Sequence, residues 1–194
     1  MTFPMIWTQR RARIAADPGN DAMGEDLVLP LKEHGRLAVV DARFAEGLRM
    51  RAFNGSDIPG LEEFSPQSMV FPVATGLLLA TLKLSGALKL AHLQYALIAI
   101  STLDPKGALL SGEYRDWLWR AFGLPVFEQL RGGDGRVAAR ECEIHDGLHF
   151  DDEALVSGVQ RRFSVEIVRE VCECGAETPR LRNLTALRSR AAAA

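Results

Sequence analysis

One stretch decides the fold: MVFPVATGLLLATLKLSGALKLAHLQYALIAIS, from Met69 to Ser101. It opens on a short apolar run, MVFPVA, and closes on LQYALIAIS (Leu93–Ser101). Runs of that length, rich in β-branched residues, read as buried strands. Between them GLLLATLKLSG (Gly76–Gly86) reads as a largely buried helix that ends at a glycine. Strand, helix, strand with short joints is the grammar of an α/β sheet with right-handed crossovers. The uncharged span Phe64–Leu82 contains Ser65, Pro66, Gln67, Ser68, Pro72, Thr75 and Gly76. That leaves it short of the roughly 20 mainly apolar residues a membrane crossing needs, so no membrane partner is expected.

Working outward, LAVVDA (Leu37–Ala42) is another buried strand, with Asp41 placed to cap the next segment. Phe44, Leu48 and Ala52 recur at helical spacing, Asn54-Gly55 ends that segment, and a loop runs through Pro59-Gly60. Downstream, SGEYRDWLWRAFG (Ser111–Gly123) has a capping serine, Glu113 in its first turn and a closing glycine. Trp117, Leu118 and Phe122 are too spread for one narrow stripe, which predicts a broad buried face. LPVFEQL (Leu124–Leu130) is the next strand. After Gly132-Gly133 the pattern changes. Asp134-Gly135 is a hairpin dipeptide, and RVAARECEIH can be a strand leaving it. FSVEIVREVC then alternates Phe163, Val165, Ile167 and Val171 on one face. The final TALRSRAAAA either frays or forms a short helix.

The expected architecture is therefore α/β: a parallel or mixed sheet with flanking helices, followed by a small antiparallel β appendage. Its expected parts are an N-terminal segment (1–34), an α/β core (35–131), the appendage (132–182) and a tail (183–194). At 194 residues, with 23 Lys+Arg against 25 Asp+Glu and a net charge of −2, the chain has no general pull toward nucleic acid. The first residues, MTFPMIWTQRRARIAAD, place apolar residues before arginines, the reverse of a secretory signal. An intracellular, cytoplasmic protein is the expectation.

The three cysteines, Cys142, Cys172 and Cys174, all fall in the appendage, with His145 and His149 close behind the first. Three thiolates and one imidazole suit a tetrahedral zinc ion. Gly175 after Cys174 permits the tight turn that would bring both sulfurs onto one ion. His149 is preferred as fourth ligand, because Gly147 allows a turn back toward Cys142; His145 stays open as its replacement. The bland reading is three reduced cysteines acting as small apolar residues. A redox pair at Cys172 and Cys174 lacks the helix-opening C-x-x-C context. His34 and His92 read as ordinary histidines. The six acidic residues of Glu141–Glu153 read as a solvated loop, or alternatively as an outer shell tuning a metal or a docking site for a cationic partner.

The run from SGEYRDWLWRAFGLPVFEQ through ECEIHDGLHFDDE to CECGAETPRL resembles the phenylacetate–CoA ligase branch of the AMP-forming acyl-adenylating enzymes. The matching residues are Gly123, Glu141, Cys142, Gly147, Leu148, His149, Cys172, Cys174, Gly175, Pro179 and Arg180. The resemblance implies a zinc ion on Cys142, His149, Cys172 and Cys174. Departures are equally plain. The family's Ser/Thr- and Gly-rich phosphate loop is missing from the chain, so ATP phosphates lack their cradle of backbone N–H groups. Where the family's Y-G-x-(T/S)-E belongs, the chain reads FEQLRGGDG (Phe127–Gly135), and the family's C-terminal lysine domain has no room after Leu181. The resulting expectation is a structural-zinc protein, non-catalytic alone, that binds a protein partner or a small acyl or aromatic ligand and allows a homo-oligomer. The alternative is a fragment of an acyl-CoA ligase that activates an aromatic acid with a separate chain. Catalytic and nucleotide-binding residues are not assignable from the sequence. Zinc hydrolysis is disfavoured, because four protein ligands leave no open position for water.

Overall fold

The structure, a computed structural model, describes residues 35–40, 51–54, 57–103, 109–132, 137–150, 159–160 and 163–186. The described strands are β1 (Leu37–Val40), β2 (Arg51–Phe53), β3 (Ser68–Pro72), β4 (Leu97–Thr102), β5 (Val126–Arg131), β6 (Val137–Glu141), β7 (Leu148–His149), β8 (Phe163–Val168) and β9 (Arg180–Ala186). The helices are α1 (Ile58–Phe64), α2 (Val73–Leu84) and α3 (Gly112–Phe122). The fold is α/β, and all nine strands form one mixed sheet in the order β2-β1-β3-β4-β5-β6-β7-β9-β8. β2 through β5 are mutually parallel, and every pairing from β5 to β8 is antiparallel.

Strand alternation splits the parallel part between two apolar faces. Ala38, Val40, Met69, Phe71, Leu97 and Ala99 face one way, packed with Leu61, Val73, Leu79 and Leu118 of the helices. Leu37, Val39, Val70, Ile98 and Ile100 form a separate buried cluster on the other. α1, α2 and α3 share one face because β2→β3, β3→β4 and β4→β5 all advance in the same direction, and right-handed crossovers then fall on the same side. The antiparallel part has its own core of Leu130, Ala139, Leu148, Phe150, Val159, Phe163 and Leu181. The β appendage thus continues the central sheet through β5.

Several sequence readings shift. Ala52 lies in β2, not in a helix; Phe44, Leu48 and the Asp41 cap are outside the described residues. Pro59-Gly60 is the first turn of α1, because the Asp57 carboxylate accepts from Gly60 N–H and proline suits a first helical turn. α2 starts at Val73, directly after β3, and the strand predicted from Leu93 begins only at Leu97. The α3 caps are as read: Ser111 accepts from Tyr114 N–H and Gly123 is left-handed. Its broad buried face is not, since Leu118 is 0% exposed but Trp117 is 39% exposed. Ala121 and Phe122 are partly buried against the same core, so the buried stripe of α3 runs through Leu118 and Phe122 and leaves Trp117 outside it. Val171 falls beyond β8 and is exposed. Thr185 and Ala186 are strand, while 187–194, His34 and Asp134-Gly135 lie outside the described residues. No described helix is long and apolar enough to cross a membrane.

Gly76 marks the closest approach of α2 to the sheet, where an added Cβ would meet Phe71 Cε2 at 2.4 Å. Phe71 is fully buried and has no room to move. In Gly76→Ala the gain in helix propensity, about 1 kcal/mol, is outweighed by an overpacking cost of about 1–3 kcal/mol. Gly112→Ala, where an added Cβ meets nothing within 4 Å, is expected to have the opposite sign. Urea midpoints should fall for the first variant and hold or rise for the second.

Candidate metal centre

Three separate segments deliver the side chains. Cys142 follows β6 directly, His149 ends β7, and Cys172 and Cys174 sit in the turn between β8 and β9. β6 and β7 pair Arg140 with His149, and β7 and β9 pair His149 with Arg180. The loop between β6 and β7 turns back through His145 (φ 55°) and Gly147 (φ 93°), with His145 N–H donating to Cys142 O at 3.1 Å. Gly147 is required on two counts. Its φ is left-handed, and a Cβ there would lie 2.7 Å from Leu181 O. The second turn is closed by Gly175 N–H to Cys172 O (2.8 Å) and Cys172 N–H to Ala176 O (3.0 Å).

The outcome is a group of four: the ligand atoms of Cys142, His149, Cys172 and Cys174 all lie within 4.8 Å of one another. Cys142, Cys172 and His149 are buried and Cys174 is half-buried. Cys142 Sγ is 3.8 Å from Cys172 Sγ, and Cys174 Sγ is 3.6 Å from His149 Nε2. This arrangement could hold a metal ion. His149 Nδ1 is 3.0 Å from Thr178 Oγ1 and 3.3 Å from Thr178 O. A proton donated there leaves the Nε2 lone pair toward the sulfurs, the tautomer a metal ligand needs. His145 is engaged elsewhere. Its ring stacks on Phe127 (centroids 4.6 Å, planes 21° apart), and Nδ1 is 3.0 Å from Glu141 Oε1.

Without a cation two of the three thiols resist ionising. Burial pushes Cys142 up to about 12 and also raises Cys174. Cys172 is also desolvated, yet its thiol is lowered, because the Cys174 amide, the other two sulfurs and Arg180 outweigh burial. Metal binding at such a site displaces protons.

The acidic run is not simply a solvated loop. Glu141 is buried and accepts from Glu128 N–H (2.8 Å) and Arg115 Nη2 (3.0 Å), tying the residue before Cys142 to β5 and α3. Asp146 accepts from Arg180 Nη1 at 2.6 Å and from Arg182 Nη2, and the Arg182 hydrogen bond holds its carboxyl below the usual range. Asp151–Glu153 are outside the described residues. His92 is exposed. Sequence reasoning missed Thr178 and Arg182 as supports, because only the β7–β9 register brings them to the loop, whereas Asp146 belongs to the acidic run offered as an outer shell. It also missed Glu128, a buried carboxyl that accepts from Ser101 Oγ and, at 3.3 Å, from Leu110 N–H.

No protein-family model matches the chain. No curated protein matches at a significant level. Solved structures do match. An open conformation of 2-hydroxyisobutyryl-CoA ligase, in complex with 2-HIB-AMP and CoA, is similar with a TM-score of 0.55 and 16% identity, over 76% of this chain and 47% of that one. The same ligase in its thioesterification state, again with 2-HIB-AMP and CoA, gives a TM-score of 0.54 and 16% identity, over 76% and 42%. The chain spans less than half the length of this ligase. At that identity the likeness is one of fold.

Burial raises the Glu128 carboxyl from 4.5 to about 7. The folded state therefore holds a proton that the unfolded state releases between these values, so stability is highest below the lower value and falls as pH rises toward the upper one. The loss amounts to about 3 kcal/mol, at 1.36 kcal/mol per unit. Glu128→Gln keeps an acceptor for Ser101 and Leu110 and removes the titration. Urea unfolding at pH 6 and pH 8, with metal saturating, should show the variant gaining on the wild type as pH rises. A pH-independent difference would contradict the assignment.

Proposed function

We propose that this chain is a zinc-stabilised relative of part of a phenylacetate–CoA ligase-like adenylating enzyme, non-catalytic by itself and acting as a binding module. Its ligand would be a protein partner or a small acyl or aromatic molecule. The observation that carries the reading is the convergence of Cys142, His149, Cys172 and Cys174 from three segments. The donor set and its spacing fit zinc. With Zn–S of about 2.3 Å and Zn–N of about 2.0–2.1 Å, tetrahedral edges are about 3.8 Å between sulfurs and about 3.5 Å from sulfur to nitrogen. The separations of 3.8 Å and 3.6 Å match these edges. The widest separations, up to 4.8 Å, would contract by about 1 Å on binding.

Four protein ligands leave no open position, so the ion would supply a cross-link and not a reactive water. Cys142 and His149 would hold it from the β6–β7 hairpin, and Cys172 and Cys174 from the turn before β9. Its position also argues for a structural role. In open α/β sheets, ligand crevices form beyond the carboxyl ends of the strands where the strand order reverses. Here that point lies between β1 and β3, several strands away from β6, β7 and β9. The non-catalytic part of the reading rests on sequence: the chain carries no phosphate-gripping loop.

A second reading comes from the fold shared with acyl-CoA ligases. In it the chain is a ligase fragment that activates an aromatic carboxylic acid together with a separate chain.

The purified protein should contain about one zinc per chain, and chelation should lower its melting temperature sharply. Cobalt substitution should give thiolate charge-transfer bands. Their absence would remove the site. ATP-dependent pyrophosphate release with aromatic acids should be absent from the chain alone, and clear turnover would replace the non-catalytic reading with the second one.

A further inference from the structure

Three thiolates and a neutral imidazole around a divalent ion leave one net negative charge in a buried place. Uncompensated, that charge is costly. The structure holds the compensating charge ready. Arg180 lies with its side chain 3% exposed at the start of β9, and its Cα is the register partner of His149. Nη1 donates to Asp146 Oδ2 at 2.6 Å and Nη2 to Glu170 O at 3.3 Å. The guanidinium also stands beside Cys172, whose thiolate it stabilises. Its Nε–H is buried and without an acceptor.

Asp146 cannot neutralise it alone, because Arg182 binds the same Oδ2 atom. Arg182 also faces the carboxylates of Glu166 and Glu170, which leaves the half-exposed Asp146 as the carboxylate shared with Arg180. Arg182, 35% exposed, is partly screened by water, whereas Arg180 is not. The buried positive charge beside the four ligands therefore sits on Arg180.

We propose that Arg180 is the counter-charge of the loaded centre, retaining the metal by neutralising its net negative charge and restraining the Cys172 sulfur from acting as a nucleophile. This rests on the zinc reading above. It assigns Arg180 a positioning and electrostatic role, through Cys172, that a plain strand residue would lack. A metal thiolate that accepts a hydrogen bond from a cation is a poorer nucleophile than one facing solvent or an apolar wall. The same contact turns a set of ligands that could be alkylated or oxidised into an inert cross-link.

The test uses the zinc-loaded full chain, with zinc transfer to a chromophoric chelator as one readout. The other is the rate of iodoacetamide alkylation at Cys172, followed by peptide mass spectrometry. Arg180→Gln removes the charge and should weaken zinc retention by about 10-fold or more, within the range seen for outer-shell partners, and speed alkylation several-fold. Arg180→Lys keeps the charge and should lie nearer the wild type on both readouts. Asp146→Asn keeps an acceptor for the arginines but removes a negative charge beside the centre, so it should hold zinc at least as tightly as the wild type. A folded Arg180→Gln protein with wild-type retention and alkylation would overturn the proposal. So would a lysine variant as impaired as the glutamine one. Should Arg180→Gln not fold, Asp146→Asn decides, and weaker retention there sinks the charge argument. A wild type that takes up no zinc defeats the zinc reading itself, whereas a zinc-binding wild type with an indifferent glutamine variant defeats only the role of Arg180.

Discussion

The antiparallel half of the molecule depends on a very short strand pairing. β7 is two residues long and joins β6 to β9 through only two Cα pairs on each side. So little ladder contributes few hydrogen bonds, and a pairing this brief is marginal without further support. The register nevertheless has to be right, because a slip of one residue would turn His149 away from the cysteines. Three features hold it. Gly147 passes too close to Leu181 O for any side chain, Asp146 reaches across to Arg180 and Arg182, and Phe150 N–H donates to Pro179 O at 3.1 Å. A metal cross-link at the same place would act on the weakest seam of the sheet, where it contributes most to folding.

Charge is arranged around that seam in two layers. Close to the sulfurs, buried thiols and a buried guanidinium face one another, and burial alone would keep Cys142 and Cys174 protonated. Behind them, Glu141 links the metal loop to the parallel half. Its carboxylate takes the Glu128 amide and the Arg115 guanidinium, and its other oxygen takes His145. Arg115 in turn donates to Val126 O. Glu141 is thus a joint between α3, β5 and the loop. Its place immediately before Cys142 means that a shift of α3 against the sheet would be felt at the first sulfur.

The fold shared with 2-hydroxyisobutyryl-CoA ligase places this chain against less than half of a larger enzyme. This chain's own parallel sheet reverses its strand order between β1 and β3. On the proposed reading the two halves have separate tasks: the parallel strands frame a crevice, and the antiparallel strands, knitted by zinc, extend the sheet away from it. Glu128 stands between them, a buried carboxyl beneath the start of α3 that carries its proton near neutral pH.

The sequence by itself determined the alternation of strand and helix, the caps of α3 and the change of grammar after Gly132-Gly133. Those features are local: periodicity, a capping hydroxyl and glycine punctuation act over a few residues. It also named the four metal-ligand candidates, because thiols and an imidazole at close spacing are a chemical signal independent of fold. It erred where a local pattern could belong to either of two structures. Ala52 satisfied a helical period inside a strand, Pro59-Gly60 opened a helix, and Val171 continued an alternation past the end of β8. Only the tertiary structure brings His149 and not His145 to the cysteines, since His149 ends β7 while His145 sits in the β6–β7 loop with its ring on Phe127. It alone brought Arg180 beside Cys172 and Asp146 between two arginines. Those contacts of Asp146 span 34 and 36 residues of chain, and no local rule couples side chains so far apart until the sheet register has been set.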